Sequence, residues 1–225
     1  MRELERFRDA VRGWVAGGVD APAAAEVARE LTGDGLAAVV LVEGVSDQSA
    51  VEALAARRGR DLPGEGVCVL PMGGAMGVAR YLRILGVQGL DVSVRGLCDE
   101  AEEPYFRRGL EQAGFGAGLG RAAMEALGFH VCVADLEDEL IRALGPAGVE
   151  RVLAAEKDLD KFRLFQNQPA QRGRPVERQL HRFMGTTSGR KAQYARALVL
   201  ALDAARVPRP LDNLLAGTSS RCSTR

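Results

Sequence analysis

Ala37-Ala-Val-Val-Leu-Val-Glu43-Gly-Val-Ser-Asp47 is the stretch whose reading decides the fold. Six apolar residues in succession, rich in β-branched valine and with glycine on both sides, fit a short buried strand better than a helix. Glu43 stands where that strand runs out, and Gly44 permits a sharp turn. Ser46 or Asp47 then caps a helix read from Ser46-Asp-Gln-Ser-Ala-Val-Glu-Ala-Leu-Ala55. In open α/β sheets ligands bind at the carboxyl ends of strands, so Glu43 stands where a site residue would. Taken alone, it reads as readily as a solvated glutamate.

Outward from this unit the same alternation repeats. Gly66–Pro71, Val92–Cys98 and Phe129–Ala134 read as further strands, and helical patterns follow at Val78–Leu85, Pro104–Ala113 and Asp135–Leu144. Strands alternating with helices imply right-handed βαβ units and a mainly parallel sheet flanked by helices, an α/β, Rossmann-like class. Residues 1–35 read as two helices with Leu4, Phe7, Val11, Trp14 and Val15 on one apolar face and Val27 and Leu31 on another. Residues 36–145 form the α/β domain. From 146 to 207 strand signals vanish and an α-helical extension follows, with a basic face of Arg172, Arg174, Arg178, Arg182, Arg190, Lys191 and Arg196. Residues 208–225 carry little apolar content and are expected to be a flexible tail.

Composition narrows the function classes. The chain has 225 residues, 47% of them hydrophobic, which suffices for a full core. Lys+Arg and Asp+Glu balance at 30 each, so no net field draws the molecule to a polyanion, and phosphate binding must come from a local patch. Cys68, Cys98 and Cys132 fall in apolar strands and Cys222 in the tail, without Cys-x-x-Cys spacing, so three core thiols and one exposed thiol are expected rather than a metal site. No signal-peptide pattern or membrane-length apolar run is present, and a cytoplasmic protein without membrane contact is expected.

Three strand ends carry carboxylates: Glu43 with Asp47, Asp99 with Glu100, Glu102 and Glu103, and Asp135 with Glu137 and Glu139. In a parallel sheet these ends share one edge, where hard oxygen ligands suit Mg²⁺ or Mn²⁺. The loop Met72-Gly-Gly-Ala-Met-Gly77, with Gly73 and Gly74, is either a phosphate cradle at a helix start or a plain turn. His130 lies inside a strand and His181 on an arginine-rich helix, and both are read without chemistry.

Together these residues resemble a Toprim domain, the module of topoisomerases, bacterial primases and OLD-family (overcoming lysogenization defect) nucleases. The strand ending in Val42-Glu-Gly-Val-Ser-Asp47, the loop Leu70-Pro-Met-Gly-Gly74 and Asp135-Leu-Glu-Asp-Glu-Leu140 look most like the Toprim half of OLD-type endonucleases, over roughly residues 36 to 200. Two departures stand out. Ala101 occupies the place of the family's second aspartate, so that ligand is missing or replaced by Glu100, Glu102 or Glu103. No Walker A sequence is present in these residues, which implies a free-standing Toprim protein without the OLD ATPase. The resemblance implies a two-metal Mg²⁺ or Mn²⁺ site, with Glu43 and Asp99 on one cation and Asp47 and Glu137 on the other, and Glu43 also a proton carrier. Lys191, in Ser188-Gly-Arg-Lys191, would stand near the phosphate with Arg190 beside it, unless Lys191 is simply a solvated helix-start lysine. The implied partner is nucleic acid, DNA ahead of RNA, with a partner protein or a homodimer as further expectations. The rival expectation is a degenerate Toprim module that binds nucleic acid or protein without cleaving. A small-molecule phosphohydrolase ranks last, because Asp99 lacks an aspartate two residues on.

Overall fold

The computed structural model of the chain describes residues 2–33, 35–186 and 189–218; Ser188 and Cys222 lie outside the described residues. A helical hairpin comes first, α1 (Arg2–Ala16) and α2 (Ala21–Thr32). β1 (Ala38–Val42) leads into α3 (Val45–Arg57), β2 (Val67–Pro71) into α4 (Val78–Leu85), and β3 (Ser93–Asp99) into α5 (Glu103–Gln112). The short α6 (Arg121–Ala126) precedes β4 (Phe129–Cys132), and α7 (Leu136–Leu144) follows it. The remainder is helical: α8 (Pro146–Ala155), α9 (Leu159–Gln166), α10 (Val176–Thr186), α11 (Lys191–Ala201) and α12 (Arg209–Gly217).

The four strands are all parallel, in the order β2-β1-β3-β4. The chain moves from β1 outward to β2, then crosses back to place β3 on the other side of β1. The order therefore reverses between β1 and β3, and the crevice outside their carboxyl ends is where such sheets take ligands. A parallel sheet must be covered on both faces. Val39, Leu41, Cys68, Leu70, Val94 and Phe129 pack on one side with α1, α4 and α5, while Val40, Val42, Val69, Leu97 and Cys132 pack on the other with α3, α7 and the C-terminal helices. Alternate residues of β1 thus belong to different cores, and all five are buried. Gly96 is required by this packing, since a Cβ there would stand 2.6 Å from the Phe129 ring. Cys68, Cys98 and Cys132 are buried free thiols, as their strand positions imply.

Two expectations change. β4 stops at Cys132, not Ala134: Ala134 has φ +63, a left-handed conformation disfavoured for residues with a side chain. Its carbonyl accepts the Glu100 N–H at 3.2 Å, and the Val133 N–H donates to Glu139 Oε1 at 2.9 Å. The stretch from Pro208 is also not a loose tail as far as it is described. Arg209–Gly217 is helix, with Leu211, Leu214 and Leu215 buried against the core of the C-terminal helices; three leucines at helical spacing suffice to dock a short segment. Residues 219–225 lie outside the described residues. Among the described residues no helix is long and apolar enough to cross a membrane.

Replacing Leu214, which is 0% exposed, by alanine is expected to cost about 3 kcal/mol of unfolding free energy in urea titrations. A loose tail would give no measurable change.

Candidate active site

Each carboxylate is delivered by the strand-to-turn unit that carries it. Glu43 follows β1 directly, and its backbone is held by the N–H groups of Gly73 and Gly74, which donate to the Glu43 carbonyl at 2.9 and 3.2 Å. Both glycines have positive φ, +76 and +119, which a side chain would strain. Of the two readings of this loop, a phosphate cradle or a plain turn, the contacts favour the turn: the Gly73 and Gly74 amides are bonded to the strand end. Gly44 is the N-cap of α3, and its N–H donates to Asp47 Oδ2 at 2.8 Å, which points Asp47 back toward the strand end. Asp99 closes β3, the neighbour of β1 across the switch point. Asp135 caps α7, accepting the Asp138 N–H at 2.7 Å, and so presents Glu137 from the first turn.

Glu43, Asp47, Asp99 and Glu137 line one groove of about 470 Å³ with Lys191 and Gly185. Crowding of like charges in a partly dry groove favours the protonated forms. Burial pushes Asp99 up to about 8, helped by the charges of Asp47 and Glu43. Burial likewise raises Asp47 to about 7 against the opposing Gly44 N–H, with Glu137 and Glu43 adding to the rise. Glu43 is raised by burial first and then by Glu102 and Glu137. Lys191 is the cation that faces this cluster, 3.7 Å from Glu137 Oε1.

Lys191 is set in place by a group that the sequence reading did not single out. Asp158, only 1% exposed, accepts the Tyr194 hydroxyl at 2.7 Å, pairs with Lys161 at 3.0 Å, and pairs with Arg190. Burial alone would raise the Asp158 carboxyl, but the hydrogen bonds from Tyr194, Lys161 and Arg190 outweigh it and hold it below the usual carboxylate range. The start of α11 is thereby anchored, and the residue after Arg190 projects into the groove. Arg190 itself is occupied by Asp158 and lies over the Tyr194 ring at 5.4 Å, so it is not the free phosphate ligand expected from its place beside Lys191.

A second pair also escaped the sequence. His181 Nε2 is 2.6 Å from Asp135 Oδ2 and joins α10 to the α7 N-terminus. The Asp135 hydrogen bond raises the His181 pKa despite burial, and for Asp135 this bond and the Asp138 N–H outweigh burial and lower it. The reading of His181 without chemistry gains a structural role, a hydrogen-bonded pair with the residue that caps α7. No local signal marks a pair separated by 46 residues.

Of the three glutamates read as substitutes for the missing aspartate, Glu100 and Glu103 are both bonded to Arg121, at 3.1 and 2.5 Å. Glu102 is the one whose charge bears on Glu43. Ala101 is exposed and adds no ligand.

The donor set fits a hard divalent cation. Glu43 Oε2 and Glu137 Oε1 are buried without hydrogen-bond partners; Lys191 offsets the second at 3.7 Å, and the first is costly unless something positive meets it. Among the described residues no three His, Cys, Asp or Glu side chains already stand together as a metal-holding group.

A four-stranded parallel sheet in this order, flanked by helices and with acidic groups at the switch point, is a Toprim fold. Residues 37–100 match the family model described as "Overcoming lysogenization defect protein-like, TOPRIM domain". The whole fold is similar to the C-terminal region of the OLD protein of Burkholderia pseudomallei, with TM-score 0.60 and 21% identity over 80% of this chain and 96% of that one. It is also similar to the C-terminal region of the Xanthomonas campestris pv. campestris OLD protein in a mercury-phased structure, with TM-score 0.59 and 25% identity over 80% of this chain and 93% of that one. No curated protein matches the sequence.

The raised carboxyl pKa values set a sign for stability. A carboxyl whose folded pKa exceeds its unfolded one stabilises the fold below the unfolded value and loses that contribution as pH rises through the folded one. Asp47 and Asp99 place this loss between the ordinary aspartate value of 3.8 and about 7 and 8. His181, raised by Asp135, has the same sign, while the lowered Asp135 and Asp158 contribute fully above their unfolded values. In EDTA, urea midpoints should fall as pH rises from about 5 to about 8. The double variant Asp47→Asn/Asp99→Asn should flatten that fall, and an equal slope in both proteins would refute the origin.

Proposed function

We propose that the protein is a divalent-metal-dependent phosphodiester hydrolase of the OLD-like Toprim type, acting on DNA. The observation that carries this reading is the groove at the β1/β3 switch point, where Glu43, Asp47, Asp99, Glu137 and Lys191 meet and two buried carboxylate oxygens, Glu43 Oε2 and Glu137 Oε1, accept no hydrogen bond. Toprim domains generally bind divalent metals, and Mg²⁺ or Mn²⁺ suits an all-oxygen donor set. When bound, such cations neutralise phosphoryl charge and make water a better nucleophile at neutral pH. Glu43 and Asp99 would hold one and Asp47 and Glu137 a second, with Glu102 beside Glu43 in place of the ligand that Ala101 lacks.

The chain's own part follows from the placement of its side chains. Hydrolysis forms a bond from water oxygen to phosphorus and breaks the ester P–O bond, so a proton must leave the water and one must reach the departing oxygen. Glu43, with a raised pKa and a free Oε2 on the groove wall, is suited to hold that proton. Lys191, kept in place by the Asp158 anchor of α11, opposes the charge that builds on the phosphoryl oxygens. A cytoplasmic location is in keeping with three buried unpaired cysteines.

Nicking of supercoiled plasmid with Mg²⁺ and with Mn²⁺ tests the reading. Glu43→Gln should abolish it, and Lys191→Ala should lower the rate about 10²- to 10³-fold. Undiminished nicking by Glu43→Gln would sink the proposal. The exposed Ala101 and the lack of a ready three-ligand group among the described residues favour the second reading, a DNA-binding module without turnover; a salt-sensitive DNA shift by the native protein with no nicking in either metal would establish it.

A further inference from the structure

One exposed face of α10 runs into the groove and is unexplained by the stability of the fold. α10 buries Gln179, Leu180, Phe183 and Met184. Arg178, Arg182 and Gly185 are exposed, at the three- and four-residue spacing that aligns them on one side of the helix, with half-buried His181 between them. Gly185 lines the groove itself, and His181 holds the α7 N-terminus that bears Glu137. Arg178 and Arg182 are therefore steps of about 6 Å along a helix leading away from the acidic cluster.

Electrostatics along the helix would not choose these charges. Arg178 is in the first turn, where the helix dipole disfavours a cation, and Arg182 four residues on is a like-charge neighbour. Neither has an ion-pair partner among the described residues, unlike Arg142 and Arg163 on neighbouring helices, which are paired with Asp138 and Glu150. The loop before α10 adds two more arginines. Gln179 Nε2 donates to the Gln171 carbonyl at 2.9 Å and ties that loop to the helix. Arg172 and Arg174 each donate Nε to a backbone carbonyl, of Asn167 at 3.0 Å and of Ala170 at 2.8 Å, and both are exposed. With Nε engaged, the outer edge of each guanidinium presents its paired N–H donors to solvent, the geometry that grips a phosphate.

We propose that Arg172, Arg174, Arg178 and Arg182 form a phosphate track that carries the backbone of a nucleic-acid substrate along α10 into the groove. The proposal rests on the catalytic reading above and extends it: the substrate is a polymer whose flanking phosphates, beyond the scissile one, are gripped by this face. The chain as a whole has no net charge, so the track supplies the attraction that net charge does not.

The test compares the native chain with Arg178→Gln/Arg182→Gln, which replaces two exposed residues by another good helix former. Binding of a fluorescent DNA duplex is followed by anisotropy in EDTA between about 50 and 200 mM salt, and turnover of bis(4-nitrophenyl) phosphate, too small to reach the track, is measured with Mn²⁺. The expected result is weaker DNA binding with a log–log salt slope reduced by about 2, at unchanged melting temperature and unchanged turnover of the small diester. An unaltered affinity and slope overturns the track. Failure of the native protein to turn over the small diester instead overturns the catalytic reading, and the salt slope still decides the track.

Discussion

The structure depends on a four-stranded parallel sheet that has no wet face. Its strands must be apolar on both sides, which is why β1 is buried at every residue and why helices from both ends of the chain are needed to cover it. Carboxylates then appear only where strands end, while the strand interiors hold just two basic side chains, Arg95 in β3 and the buried His130 in β4. Because the strand order reverses between β1 and β3, the ends that carry Glu43 and Asp99 flank one crevice instead of opposite edges of the sheet.

Placing acids there is unfavourable in isolation. Burial and, after it, mutual repulsion raise Glu43, Asp47 and Asp99 together, and two buried carboxylate oxygens are left without hydrogen bonds. The surroundings are built to hold this arrangement. Glycine amides fix the Glu43 backbone, the Gly44 N–H fixes Asp47, and the Asp135–His181 pair fixes the helix that presents Glu137. The left-handed Ala134 belongs to the same turn and is the kind of local strain that tertiary contacts sustain at functional sites. The buried Asp158 does for the cation what these contacts do for the acids: it fastens Arg190 and Tyr194 so that Lys191 faces the groove.

The helices after Pro146 are more than an appendage. They share one core with α3 and with one face of the sheet, and α11 packs along α3, where Arg57 donates to the Val199 carbonyl at 2.9 Å. The acidic strand ends and the cationic helix therefore belong to a single packed body, and Lys191 can be held against Glu137 although 54 residues separate them.

Much of this was legible in the sequence. The four strands, their parallel pairing and the carboxylates Glu43, Asp47 and Asp99 follow from short β-branched runs that end in glycine and acid, because local periodicity and turn chemistry specify them. The Asp-x-Glu start of α7 and the lysine opening α11 could be located in the same way. Which groups the long-range folding brings together could not be read. Arg190 was expected at the phosphate, yet Asp158 holds it; the loop of Gly73 and Gly74 could be read as an anion cradle or a plain turn, and its amides bind the Glu43 carbonyl; His181 was read without chemistry, and its structural partner Asp135 could not be foreseen. Leu211, Leu214 and Leu215 looked too sparse to dock until the adjacent core offered them a surface. Sequence by itself determined the elements and the chemistry at their ends, since these depend on neighbours in the chain. Only the tertiary structure decided which charges are paired and which are left facing the groove, since that depends on partners tens of residues away.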